Sequence, residues 1–88
     1  MIENNTFVIV RTFSAGVHYG TLVSRNGKEV CLCNARRIWS WRGAMSISEI
    51  AKVGLDIANS KISVAVDAII LTEAIELLTI SSASNLPL

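Results

Sequence analysis

Residues 34–44 read NARRIWSWRGA, and this stretch holds both tryptophans of the chain. A guanidinium can fork onto a phosphate or carboxylate through paired N–H donors, and an aromatic side chain stacks on a nucleobase for roughly 1–3 kcal/mol. If residues 35–41 are extended, Arg37, Trp39 and Trp41 project from one face and Arg36, Ile38 and Ser40 from the other. Such a row, one cation beside two indoles, could grip a nucleotide. It could equally be a cation–π ladder that buries two tryptophans in a core or a subunit contact.

A second stretch, RTFSAGVHYG, adds Arg11 and a turn of small residues that lets backbone amides approach an anion closely. Candidate ligand-binding residues are therefore Arg11, Ser14, Ala15, Gly16, Arg36, Arg37, Trp39 and Trp41. Other chemistries find less material. His18 is the one histidine, no short signature ties it to a nucleophile, and it reads as a strand histidine with a packing or surface role. Glu73 and Glu76 lie close together in sequence, but a solvated face accounts for them. Cys31 and Cys33 share a strand face and read as small, buried apolar residues; with His18 as their only companion they fall short of a four-ligand structural zinc site unless subunits share a metal. There is no P-loop and no G-x-G-x-x-G. Neither an enzyme nor a cofactor is expected.

The elements that must position these residues are mostly strands. TFVIVRTF (6–13) is rich in β-branched and aromatic residues and reads as a strand buried on both sides. Residues 17–25 and 28–33 flank Asn26-Gly27, the strongest short hairpin signal, whose two turn positions would both take positive φ. Gly20 inside the second run predicts a bulge or a close backbone approach. Residues 35–41 read as a third extended run. Ser46-Ile47-Ser48-Glu49 then fits a capping box, with Ile47, Ile50, Ala51 and Leu55 at helical spacing and Gly54 as the stop. KISVAV (61–66) reads as a strand and Asp67 as the start of a turn. AIILTEAIELLTI (68–80) fits a helix or a bent strand; its Ile and Thr content favours strand. SSASNLPL has the composition of a loose tail. The expectation is one α+β domain over residues 1–80, β-rich, a bent sheet or small barrel of five to six mostly antiparallel strands with one short helix, followed by a flexible tail at 81–88.

Composition bounds the partners. Hydrophobic residues make up 51% of 88 and mean hydropathy is +0.49, yet a domain this small leaves much of its chain exposed after folding. A homo-oligomer is expected to hide the excess. Apolar runs near the C-terminus are broken by Asp67, Glu73 and Glu76, so no membrane span is expected, and MIENNTF lacks the basic start and apolar core of a secretory leader. Residues 1–42 carry six basic side chains against two acidic ones, a balance of +4, and residues 43–88 balance at −3. That asymmetry suits an anionic ligand or a self-complementary oligomer. Duplex DNA is not expected as a partner, because the one clear helix, 47–53, carries one lysine and one glutamate and no basic arm is present.

TFSAGVHYGTLVSRNGKEV, followed by NARRIWSWRGA and later by VDAIILTEAIE, resembles a family of short proteins encoded by bacteriophages and prophages, with a TYSAGV-like opening and an ARRIWYW-like centre. The resemblance covers residues 7–78. Phe13 stands where tyrosine is usual, and Ser40 where the family has an aromatic residue between the tryptophans. The resemblance implies expression in the cytoplasm of an infected host bacterium and brings no activity with it. Small phage proteins without catalytic motifs are commonly virion or assembly parts, nucleic-acid-binding regulators, or inhibitors of host defence, including oligomeric sponges for nucleotide immune signals. The expected function is a non-enzymatic, oligomeric sponge for a small nucleotide-like anion; a virion or assembly protein and a nucleic-acid-binding regulator are the alternatives.

Overall fold

The computed structural model describes residues 2–87. Its elements are strands β1 (Phe7–Thr12), β2 (Val17–Asn26) and β3 (Glu29–Ser40), helix α1 (Ile47–Val53), a 3-10 turn (Ile57–Asn59), and strands β4 (Lys61–Ile62), β5 (Val66–Leu71) and β6 (Ala74–Thr79). All the pairings are antiparallel, in a single open sheet that runs β4, β3, β2, β1, β6, with β5 also on β3. This is the small β-rich α+β domain that the residue patterns predict.

The connectivity forces the sheet to curl. β5 pairs with β3 and β6 with β1, which in a flat sheet would set them four strand spacings apart, about 19 Å. Only Thr72 and Glu73 join them, and three Cα–Cα steps reach at most about 11 Å. The two ends of the sheet must therefore approach each other, and they do so without pairing. The Ala74 amide donates to the Lys28 carbonyl at 3.0 Å and the Phe13 amide to the Glu73 carbonyl at 2.9 Å, which fastens the link across the β2–β3 and β1–β2 turns.

Curling splits the apolar residues into two cores. Val8, Val10, Leu22, Val30, Leu32, Ala35, Leu71 and Ala74 fill the inside of the curl. On its outer face Ile9, Val17, Tyr19 and Ile38 are covered by Ile47, Ile50 and Ala51 of α1 together with Leu55, Ile80 and Leu86. β1 is thus buried on both sides, as its alternation predicts.

Several local features differ from expectation. The β2–β3 turn is centred on Gly27-Lys28, since Asn26 pairs with Glu29 and positive φ is confined to Gly27, the pattern of a II′ turn. Residues 35–40 continue β3 instead of forming a separate strand. KISVAV is not one strand: β4 keeps only Lys61 and Ile62, and Asp67 lies inside β5. The reason lies in their register on β3: β4 pairs with residues 38–40 and β5 with residues 30–35, so the two strands lie one after the other along the same edge of β3 with residues 63–65 between them. Residues 68–80 are extended, in two strands broken at Thr72-Glu73. α1 begins as its cap predicts: Ser46 Oγ accepts from the Glu49 amide, but Glu49 reaches back to the Met45 amide (3.1 Å), one residue before the cap.

Residues 81–87, expected as a loose tail, are seated on the outer core. The Asn85 side chain accepts from the Leu55 amide (2.9 Å) and donates to the Leu55 carbonyl (2.6 Å), and the Tyr19 hydroxyl donates to the Pro87 carbonyl (2.7 Å). Leu86 is buried beside them. Small polar composition does not reveal this, because the contacts come from one buried leucine, the Asn85 amide and single hydrogen bonds such as Ser84 Oγ to the Ile50 carbonyl.

Candidate functional site at the mouth of the curled sheet

The bulge decides which side chains meet. Across β2 and β3 the register shifts between Tyr19 and Thr21, where Gly20 lies opposite Asn34 and Ala35. Asn34 adopts φ 49°, a left-handed conformation asparagine tolerates. A Cβ on Gly20 would stand 2.9 Å from the Cys33 carbonyl oxygen and 3.1 Å from Ala35 Cα, so only glycine admits this close approach. The extra residue inverts the alternation. Cys31 and Cys33 face outward, half-buried rather than fully buried, whereas Ala35 turns inward and Arg37 lies across from the inward His18.

A concave site of about 140 Å³ follows from this, lined by His18, Ala35, Arg36, Arg37, Trp39 and Ser63, with Val66 and Ile69 behind. The Arg37 Nε–H donates to His18 Nε2 at 3.0 Å. The Arg37 backbone is tied to the segment after β4: its amide donates to Ser63 Oγ (2.8 Å) and its carbonyl accepts from the Ser63 amide (2.9 Å). Arg36 Nη1 donates to the Ser63 carbonyl at 3.1 Å, which makes Arg36 a brace for the same segment. Trp39 stands at the rim with 65% of its surface exposed.

His18 is 1% exposed. Its pKa is lowered to about 4, first by burial and second by the charge of Arg37, so the ring is neutral at physiological pH. Among the described residues, the single ion pair joins Arg11 to Glu76 at 3.4 Å. No carboxylate among the described residues stands within ion-pair distance of Arg37. The site therefore presents a braced cation, a neutral imidazole and an exposed indole, a set that suits an anion attached to a flat apolar group.

Of the eight expected residues, Arg36, Arg37 and Trp39 come together here, and Arg11, Ser14, Ala15, Gly16 and Trp41 do not line the site. The Ser14–Gly16 turn is closed on itself: the Ala15 amide donates to Thr12 Oγ1 (2.9 Å) and the Thr12 hydroxyl to the Gly16 carbonyl (2.8 Å). Ser14 Oγ donates to Glu73 Oε1 at 2.6 Å, which sets an acid beside this turn. Trp41 lies beyond the end of β3, packs against the outer core and donates from Nε1 to the Ala44 carbonyl at 3.2 Å. The in-line pair of indoles therefore does not form. His18 is the residue sequence reading left out; the signal for it is its place two residues before Gly20, where the inward face of β2 runs to the bulge.

Fold and site together define a small β-rich domain, a curled but open six-stranded antiparallel sheet with a helix and a C-terminal segment against its outer face. The chain belongs to the family described as domain of unknown function DUF6948, whose model matches residues 5–86. No curated protein and no solved structure matches it. Among the described residues, no helix is long and apolar enough to cross a membrane, and no group of three or more His, Cys, Asp or Glu is placed to hold a metal ion.

Proposed function

We propose that the protein is a non-catalytic binding module for a small nucleotide-like anion, taken up between Arg37, His18 and Trp39. One observation carries this reading: Arg37 faces a concave surface, held in place by a neutral histidine, with no acid opposite it among the described residues, whereas Arg11 on the same sheet is compensated by Glu76. A cavity of about 140 Å³ is well under the roughly 300 Å³ at the lower end of small-molecule pockets. It has room for a phosphate and leaves the base outside, where the exposed face of Trp39 can stack on it.

Homo-oligomerisation and a sequestering role belong to the same reading. Val64, Val66 and Ile70 are exposed on or beside β5, an apolar surface that self-association would cover. A phage protein that sponges up a host immune nucleotide needs tight binding without turnover, which such a site can supply. Light scattering after gel filtration and calorimetry with cyclic dinucleotides, cyclic trinucleotides and cyclic ADP-ribose derivatives test the proposal. It requires a mass above that of one chain and at least one ligand whose binding is lost in Arg37→Ala.

A further inference from the structure

We propose that His18 is the positioning residue of this anion site, there to aim Arg37 rather than to hold the fold, a role that rests on the anion reading above. Because Nε2 of His18 accepts the Arg37 Nε–H at 3.0 Å, Nε2 carries no proton, and the neutral ring must hold its proton on Nδ1. That Nδ1 is buried and has no hydrogen-bond partner among the described residues. A buried donor without an acceptor opposes folding. The inward position across from it on β1 is Val10, part of an aliphatic inner core, and an aliphatic residue at 18 would pack there without that penalty. A position that breaks the packing rule beside a concave surface points to function.

The geometry specifies the function. With Nε engaged by the ring, Arg37 is left with its terminal pair, Nη1 and Nη2, the edge that forks onto two oxygens of one phosphate or carboxylate. An unbraced arginine on an exposed strand position would have to give up its rotamer freedom on binding; His18 removes that freedom in advance. Burial keeps the ring unprotonated, so the brace persists at neutral pH. Its other neighbour across the sheet, Val10, is apolar and offers no competing partner.

The test uses the full chain, adenosine 5′-monophosphate as the probe, and the variants His18→Leu and His18→Gln. Leucine removes both ring nitrogens, whereas the glutamine amide oxygen can still accept from Arg37 Nε. Calorimetry at pH 7 is expected to show binding by the wild type, weakening of at least tenfold in H18L and of less than threefold in H18Q. H18L is expected to unfold at a urea concentration equal to or higher than the wild type, which a structural histidine would not permit. In the Arg37→Ala background, H18L is expected to cause no further loss. Undiminished binding by folded H18L would overturn the positioning role and leave the anion site standing. If H18L does not fold, weakening of tenfold or more in folded H18Q overturns the role and threefold or less supports it. Absence of binding by the wild type would overturn the anion site itself, and the role of His18 with it.

Discussion

Trp39 and Trp41, separated by one residue, serve opposite sides of the sheet: Trp39 stands exposed at the rim of the concave site beside Arg37, and Trp41 packs into the outer core with its indole nitrogen on the Ala44 carbonyl. β3 ends at Ser40, so the chain has already turned when it reaches Trp41, and strict alternation no longer applies. The two indoles should therefore respond differently to removal. Trp39→Ala is expected to leave stability within about 0.5 kcal/mol while binding of the calorimetric ligand falls at least tenfold. Trp41→Ala should cost about 2 kcal/mol, less than a fully buried tryptophan because it is half-buried. Urea unfolding alongside calorimetry checks the pair; equal effects on stability would refute the separation.

Gly20→Ala places a methyl group against backbone atoms that cannot swing aside, the Cys33 carbonyl oxygen and Ala35 Cα. The expected destabilisation is about 1–3 kcal/mol. Relief by loss of the bulge would turn Arg37 away from His18, so affinity should fall together with stability. A Gly20→Ala protein with wild-type stability would show that the close approach does not exist.

Asn85 substitutes for a strand by satisfying both the amide and the carbonyl of Leu55. Asn85→Ala leaves two backbone groups of a buried residue without partners and is expected to cost about 1–3 kcal/mol. Leu86→Ala should cost about 2–3 kcal/mol by emptying its place in the outer core. Thermal unfolding of both variants distinguishes a seated C-terminal segment from a loose tail, for which neither change would exceed a few tenths.

Stability should fall with pH through His18. Its folded pKa is lowered to about 4 from the usual 6.5, so between these values the unfolded chain binds a proton that the folded chain refuses. The contribution is fully present above pH 6.5 and is lost as the pH falls toward 4, at about 1.4 kcal/mol per unit. Carboxylates titrate in the same range, so the difference between wild type and His18→Gln is the diagnostic. Between pH 7 and pH 4 that difference should shift against the wild type by on the order of 3 kcal/mol. A difference independent of pH would mean that His18 is not buried neutral.

Much of this architecture is legible in the residues. Both buried faces of β1 follow from the run Phe7 to Thr12, the helix from Ser46 and its periodic partners, and the close approach at Gly20 from a glycine inside a strand pattern. The site is only partly legible, because one inserted residue at Asn34 inverts every face after it. Cys31 and Cys33 share a parity with Arg37 and Trp39 in the sequence, yet point to the opposite side of the sheet. The basic and acidic halves of the chain do not predict an open basic patch either. Folding brings Arg11 to Glu76 and Ser14 to Glu73, contacts at long sequence separation that local patterns do not encode. Of the candidate arginines, Arg37 is the one that is held by an uncharged ring.

The most direct measurement purifies the full chain from bacteria expressing it, under wild-type and Arg37→Ala forms, releases any retained molecule by heating, and analyses the supernatant by mass spectrometry, with the cyclic nucleotide panel titrated into the ligand-stripped protein. A phosphate-bearing small molecule is expected to be released from the wild type, or a panel member to be bound by it, and in either case nothing with Arg37→Ala although that variant folds normally. Release or binding that is unchanged in Arg37→Ala, or the absence of both from the wild type, would contradict the anion-binding reading.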